Sequence, residues 1–121
     1  MTSIQAANII VLYVLKKKEM SRIEKIIEML QVSGKDSFLK HALALEYIKM
    51  GRFEDALTQF VELLEYDPGY VGSYYHLGKL YEKLNQPDNA ILAYEKGMGE
   101  AKKVKDQHSY NELQAAKEEL E

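Results

Sequence analysis

The chain has 121 residues with a formal net charge of −3 and contains no cysteine. This length suits one domain that buries roughly two thirds of the surface of its unfolded form. The lack of cysteine excludes disulfides, thiolate nucleophiles and most structural zinc sites and fits a cytoplasmic location, while the slight acidic excess disfavours a nucleic-acid-binding surface.

The amino-terminal stretch AANIIVLYVL, residues 6–15, is apolar apart from Asn8, and three lysines follow at 16–18. A helix over these ten residues reaches about 15 Å, half of the roughly 30 Å of a bilayer core, so we expect no membrane span. A secretory signal has its positive charge before the apolar run, and here the order is reversed. Two interpretations stay open: residues 1–19 form a packed apolar helix, or they are dispensable and precede a start at Met20.

The rest of the chain has the pattern of an all-helical protein. Apolar residues recur at spacings of three and four, and the whole sequence contains two prolines and seven glycines. Helix breaks are predicted at 33–36, at Gly51, at 67–69, at 85–87 and at 105–106. We expect seven helices of about 11 to 17 residues with short connections, which favours antiparallel neighbours.

The sequence also matches itself when it is shifted by one fixed period, the offset that brings Leu43 onto Leu77. Chemically equivalent residues then align at helical spacing. The aligned pairs are Leu43 with Leu77, Ala44 with Gly78, Tyr47 with Tyr81, Ala56 with Ala90, Leu57 with Ile91 and Phe60 with Tyr94. An internal repeat of this kind indicates two copies of one helix-turn-helix unit.

These positions resemble the tetratricopeptide repeat, a helix-turn-helix unit of about 34 residues. One unit covers 37–70 and the next covers 71–104. The motif positions, which we expect to form the repeat core, are Leu43, Ala44, Tyr47, Ala56, Phe60 and Pro68 in the first unit, and Tyr74, Leu77, Gly78, Tyr81, Ala90 and Tyr94 in the second. Two positions depart from the pattern: Lys40 occupies an aromatic slot, and Ala101-Lys102 replaces an Asp-Pro ending.

The resemblance implies a right-handed superhelix of antiparallel helix pairs, an α-α solenoid, within a single domain. Two repeats bury too little surface alone, so flanking helices in 1–36 and 105–121 are expected to cap them. A capping box is predicted at Ser109 and Glu112, where the last helix starts. From Met20 onward the chain is similar to small freestanding bacterial members of the family.

In this family the first helix of each unit lines the concave face of the superhelix. The residues on that face are predicted to bind a partner, with Tyr75 as an aromatic anchor and Lys79 and Glu82 setting polarity. They are Phe38, His41, Leu45, Ile48, Tyr70, Tyr75, Lys79 and Glu82. Because the predicted helix over 37–50 is apolar on two sides, something should cover the second side, either a partner or the chain's own segment around 9–15.

The sequence offers no motif for catalysis. His41, His76 and His108 lack metal-ligand spacing, and no phosphate loop, glycine-rich cofactor turn or zinc-peptidase motif occurs. The lysine, arginine and asparagine clamp with which some family members hold chaperone tails is also not reproduced. We therefore expect no catalytic residue, no cofactor and no metal.

The function predicted from the sequence is that of a non-catalytic adaptor or scaffold that binds a peptide or helix of another protein. One alternative is a homo-oligomeric structural protein in which the amino-terminal apolar segment and the first groove self-associate. A less favoured alternative is RNA binding by stacked tyrosines, which the acidic balance argues against.

Overall fold

The structure, a computed structural model, describes residues 3–121. Within this range the chain forms six helices and no strand: α1 (Ser3–Val32), α2 (Ser37–Lys49), α3 (Phe53–Tyr66), α4 (Gly72–Lys83), α5 (Pro87–Lys103) and α6 (Gln107–Glu119). The expected all-helical repeat fold is confirmed. The expected number of seven helices is wrong, because α1 is one continuous helix of 30 residues, and no glycine or proline occurs within it to interrupt the backbone hydrogen bonds.

The helices pack in chain order as antiparallel neighbours. α2 pairs with α3, α4 with α5, and α6 with α5, while α1 lies on α2 and α3 on α4; α6 also reaches α4. Most motif residues are buried between these helices. Tyr81 is half-buried and Pro68 is exposed in the turn before α4. The buried motif residues are Leu43, Ala44, Tyr47, Ala56, Phe60, Tyr74, Leu77, Gly78, Ala90 and Tyr94.

The turns inside the two repeats have the same backbone geometry. Gly51 has a φ of 74° and Asn85, one repeat period later, has a φ of 57°, and both residue types tolerate this left-handed conformation better than others do. The amides that follow bond to equivalent carbonyls, Arg52 N to Tyr47 O at 2.8 Å and Gln86 N to Tyr81 O at 2.9 Å. Equivalent backbone hydrogen bonds therefore recur with the same period as the sequence.

Side chains close the ends of two helices. Asp36 caps α2 by accepting a hydrogen bond from the Leu39 amide at 2.9 Å. Asp106 caps α6 by accepting one from the Ser109 amide at 3.0 Å, so the predicted capping box at Ser109 and Glu112 is wrong. Lys105, with a φ of 59°, turns the backbone just before this cap, and α6 thus begins ahead of the predicted start at Ser109.

The carboxyl-terminal half of α1 fastens it to the repeats. Ile23 is buried in the core, and Arg22 pairs with Glu46 of α2 at 3.5 Å. Residues 7–18, in contrast, are all exposed, so the apolar segment around 9–15 does not cover α2 within this molecule. None of the helices in the described part of the chain has the length and apolar character needed to cross a bilayer.

Candidate protein-binding face

The eight residues predicted to bind a partner lie on α2, on α4 and in the turn just before α4. Their exposure differs widely. Phe38, in the first turn of α2, is 68 % exposed, whereas His41, Leu45, Ile48, Tyr70, Tyr75, Lys79 and Glu82 are all half-buried. We call this surface the α2–α4 face.

A cluster of rings joins α2 to α4. The His41 ring centroid lies 5.3 Å from that of His76 and 5.6 Å from that of Tyr70. His41 Nδ1 is also 2.7 Å from the Oγ of Ser73, a buried residue, in a hydrogen bond whose donor depends on the tautomer. The ring of Phe60 in α3 is parallel to the His76 ring, and their centroids are 6.4 Å apart.

Burial changes the protonation of both histidines in this cluster. Desolvation lowers the pKa of His41, and the nearby His76 lowers it further. Desolvation also lowers the pKa of His76, and Glu112 of α6 acts in the opposite direction. Both imidazoles are therefore neutral at neutral pH, where they pack as aromatic groups.

Sequence reasoning did not find Ser73 and His76 as part of this face. It treated the histidines as scattered, yet the structure brings two of them into contact. One signal was present, because the period that brings Leu43 onto Leu77 also brings His41 onto Tyr75, and His76 is the next residue. His41 and His76 therefore occupy neighbouring positions on the first helices of adjacent units.

The arrangement of His41 and Ser73 resembles half of a nucleophile–base pair. The Ser73 side chain is fully buried, so a substrate carbonyl cannot reach its Oγ. The described residues also include no group of three or more histidine, aspartate or glutamate side chains placed to hold a metal ion. The contact joins α2 of the first repeat to α4 of the second.

A second group surrounds Tyr75 further along α4. The Lys79 ammonium lies 5.5 Å from the centre of the Tyr75 ring and 3.5 Å from a Glu82 carboxylate oxygen. Glu82 in turn accepts a hydrogen bond from the Tyr94 hydroxyl. Burial and this carboxylate raise the pKa of Tyr94 above its usual range. The cation and the neighbouring rings thus hold Tyr75 in place at the surface.

The apolar stripe of α2 is less open than expected. Leu45 and Ile48 pack against the core of the protein, so α2 buries part of both its sides within the molecule. Phe38 remains as the widely exposed apolar residue of the eight. The surface available to a partner thus contains one widely exposed ring, Phe38, and the half-buried rings of His41, Tyr70 and Tyr75.

A separate cavity of about 350 Å³ lies elsewhere, between α3, α4 and α5, and Val61, Tyr74, Leu77 and Leu92 are among its lining residues. None of the eight predicted residues lines it. Leu92 at its edge is 64 % exposed, nearly as much as Phe38, which makes it a matched position for comparison with the α2–α4 face.

The paired helices, the periodic repetition of the turns and the small residues between helices define a helical-repeat protein. A family model described as the tetratricopeptide repeat matches residues 41–101. The chain belongs to the tetratricopeptide repeat family.

Three similar proteins are informative. The crystal structure of a tetratricopeptide repeat domain protein from Salinibacter ruber is 47 % identical, covers 70 % of this chain and 94 % of its own, and superposes with a TM-score of 0.67. PcrH, solved in complex with the chaperone binding region of PopD, is 13 % identical, covers 99 % of this chain and 93 % of its own, and has a TM-score of 0.78. At that identity the likeness shows the fold alone.

The third is the probable UDP-N-acetylglucosamine–peptide N-acetylglucosaminyltransferase SPINDLY of Hordeum vulgare, which is 41 % identical over 46 residues. That match covers 38 % of this chain and 5 % of the plant protein. The chain thus corresponds to a small fraction of this curated relative's length.

Proposed function

We propose that this protein is a non-catalytic adaptor of the cytoplasm that holds a peptide or helix of another protein against the α2–α4 face. The observation that carries the proposal is that the first helices of the two repeats each present an aromatic ring on this face: Phe38, which is 68 % exposed, and Tyr75, which is half-buried against His76. Membership of the tetratricopeptide repeat family supports a role in binding proteins, because such repeats build extended concave surfaces.

The α2–α4 face is suited to binding because its groups are already ordered. Tyr75 contacts His76 edge-on at 5.9 Å and lies beneath the Lys79 ammonium. A rigid aromatic residue loses little conformational entropy when a partner covers it. The half-buried pair of Lys79 and Glu82 supplies polar groups at the edge of the aromatic surface, where hydrogen bonds select an orientation.

The relative solved with a bound protein segment also supports this role. PcrH is described in complex with the chaperone binding region of PopD. We propose the same mode of binding for the present chain, in which a segment of another protein lies on the surface of the helical repeats. Experiment must identify that protein.

The test is affinity capture from a lysate of the native organism, followed by mass spectrometry. We expect the intact protein to retain a partner that the Phe38→Glu, Tyr75→Glu double variant loses, with folding of the variant checked by circular dichroism. Burying a charge in place of an aromatic anchor typically weakens binding by at least an order of magnitude.

Leu92→Glu is the matched control, because Leu92 is similarly exposed but lines the cavity between α3, α4 and α5. Partner retention by this control and loss by the double variant support the α2–α4 face. Retention by both variants, or loss only from Leu92→Glu, contradicts the proposal.

A further inference from the structure

The amino-terminal half of α1 carries the largest unexplained apolar surface of the described chain. Ile4 and all seven residues from Ile9 to Leu15 are more than half exposed. Successive residues of a helix are about 100° apart, so seven consecutive apolar residues leave no gap wider than about 60° around the axis. The segment 4–15 is therefore apolar on every side over its second half, unlike the one-sided helices of a soluble bundle.

This all-round character argues against a two-helix dimer. One partner helix covers a stripe of a helix surface and leaves the opposite side in water. A bundle of several copies would cover more, but it would also gather the lysines of every copy. Residues 1–18 contain Lys16, Lys17 and Lys18 and no aspartate or glutamate, so no acidic group within this stretch pairs them in either helix direction.

The distribution of charge points to an anionic surface as the occupant. Residues 1–18 carry a formal charge of +3, and the remaining 13 basic and 19 acidic residues give the rest of the chain −6. An anionic surface attracts the amino-terminal segment and repels the body of the protein. The partner must therefore be both negatively charged and apolar beneath its charges, which describes a phospholipid leaflet.

The order of residues matches the layers of such a leaflet. The fully apolar run 9–15 is about 10 Å long and fits within one leaflet, about 15 Å, of a hydrocarbon core of about 30 Å. Tyr13 lies near the end of this run and the three lysines follow it, and the Lys17 ammonium lies 6.0 Å from the Tyr13 ring centre. Tyrosine and lysine are the residues that settle at the level of the headgroups.

We infer that residues 4–18 attach this protein to the surface of an anionic phospholipid bilayer, with the apolar side chains entering one leaflet and Lys16, Lys17 and Lys18 contacting the headgroups. The repeats, fastened to the other half of α1 through Ile23, then stand away from the membrane. The segment anchors the protein without crossing the bilayer.

The test is co-sedimentation of the full chain with large vesicles of phosphatidylcholine alone or mixed with phosphatidylglycerol. We expect binding to the mixed vesicles, weaker binding to phosphatidylcholine, and a decrease with added salt. Each lysine near an anionic leaflet contributes roughly a factor of five, so replacing Lys16, Lys17 and Lys18 by glutamine lowers the partition coefficient about 100-fold. Ile10→Asp, Val14→Asp abolishes binding.

The controls carry the same chemical changes on the body of the protein. Replacing Lys102, Lys103 and Lys105 by glutamine matches the charge change, and Leu92→Asp matches the loss of an exposed apolar group. Both controls bind vesicles like the unchanged protein if the inference holds. Absence of binding to anionic vesicles, or full binding by the lysine variant, overturns it.

Self-association is the competing outcome and is measured without lipid. Sedimentation equilibrium of the full chain that shows a discrete oligomer, dispersed by Ile10→Asp, Val14→Asp, assigns the segment to a second copy and overturns the inference. Circular dichroism of each variant confirms that the helices persist. Because the vesicle experiment leaves the α2–α4 face unchanged, its result is independent of the partner capture.

Discussion

Gly78 of α4 lies directly against the ring of Tyr94 of α5. A β-carbon built at Gly78 would be 2.5 Å from Cζ and 2.6 Å from Cδ1 of that ring, far inside van der Waals contact. The ring is fully buried and its hydroxyl is tied to Glu82, so it has little room to move aside. The absence of one side chain thus sets the distance between the two helices of the second repeat.

Gly78→Ala is therefore expected to destabilise the protein by about 1–3 kcal/mol, the usual cost of overpacking a core. The free energy of unfolding, measured by urea denaturation, checks this value. Tyr94→Leu in the Gly78→Ala background should restore part of the loss, which gives a coupling energy of opposite sign to the single effects. Equal stability of Gly78→Ala and the unchanged protein would contradict the packing described here.

Two further glycines of α5, Gly97 and Gly99, are expected to respond in opposite directions. A β-carbon at Gly97 would be 2.5 Å from Cβ of Tyr74, whereas one at Gly99 meets nothing within 4 Å. Gly97→Ala should destabilise by about 1–3 kcal/mol because Cβ of Tyr74 cannot rotate away. Gly99→Ala should stabilise by about 0.5–1 kcal/mol through reduced backbone entropy of the unfolded chain. Thermal melts of both variants in one buffer compare them, and a shift of the same sign for both would refute this prediction.

The histidine pair predicts a dependence of stability on pH. Since burial lowers the pKa of His41 and His76 in the folded state, the unfolded chain binds protons more readily below about pH 6.5. The stabilising contribution is present above that pH and is lost as the pH falls through the folded-state values. Urea denaturation at about pH 7.5 and about pH 5.5 should show a lower unfolding free energy at the acidic value.

His108 is the control for this effect, because its side chain is 91 % exposed. His108→Gln should retain the loss of stability on acidification, and His76→Gln should reduce it. An unchanged acid response in His76→Gln would show that other groups cause it. Nuclear magnetic resonance titration of the imidazole protons measures the lowered pKa values directly.

The cap of α2 offers a local test of helix stability. Asp36 accepts the Leu39 amide hydrogen at 2.9 Å, and loss of such a cap typically costs about 1 kcal/mol. Asp36→Ala is expected to lower the unfolding free energy by this amount, whereas Asp36→Asn should change it by a few tenths of that value because the amide oxygen still accepts. Chemical denaturation of the two variants distinguishes them, and equal losses would indicate that the charge, not the hydrogen bond, matters.

The sequence predicted the repeats well and the ends less well, for physical reasons. Pairs such as Ala56 and Ala90 or Phe60 and Tyr94 recur because the two members fill equivalent spaces between helices. The internal repeat in the sequence therefore predicts the packing of the helices. The continuity of α1 follows from local backbone bonds rather than from an apolar period, and dividing the stretch by composition produced one helix too many. The break before α6 at 105–106 was predicted, but its cap was assigned to Ser109 instead of Asp106, because both residue types suit an N-cap.

The partner-binding residues were predicted from the helix face on which they lie. The face of a helix does not determine how deeply each side chain is buried. Leu45 and Ile48 share a face with Phe38, yet they pack against the core while Phe38 is exposed. The contact of His41 with Ser73 and His76 joins two repeats through side-chain packing. Such contacts depend on how successive units rotate against each other, a quantity that a single sequence does not specify.

The same turn occurs at Gly51 and at Asn85, with equivalent amide–carbonyl partners one repeat period apart. This regularity limits how the chain can be lengthened in evolution. A gene duplication of one whole period would place its new residues on an interface that already exists, and the flanking helices would keep their neighbours. A duplication that is not a whole number of periods would move the left-handed position out of its turn. The lengths open to this protein in evolution therefore come in steps of a single unit.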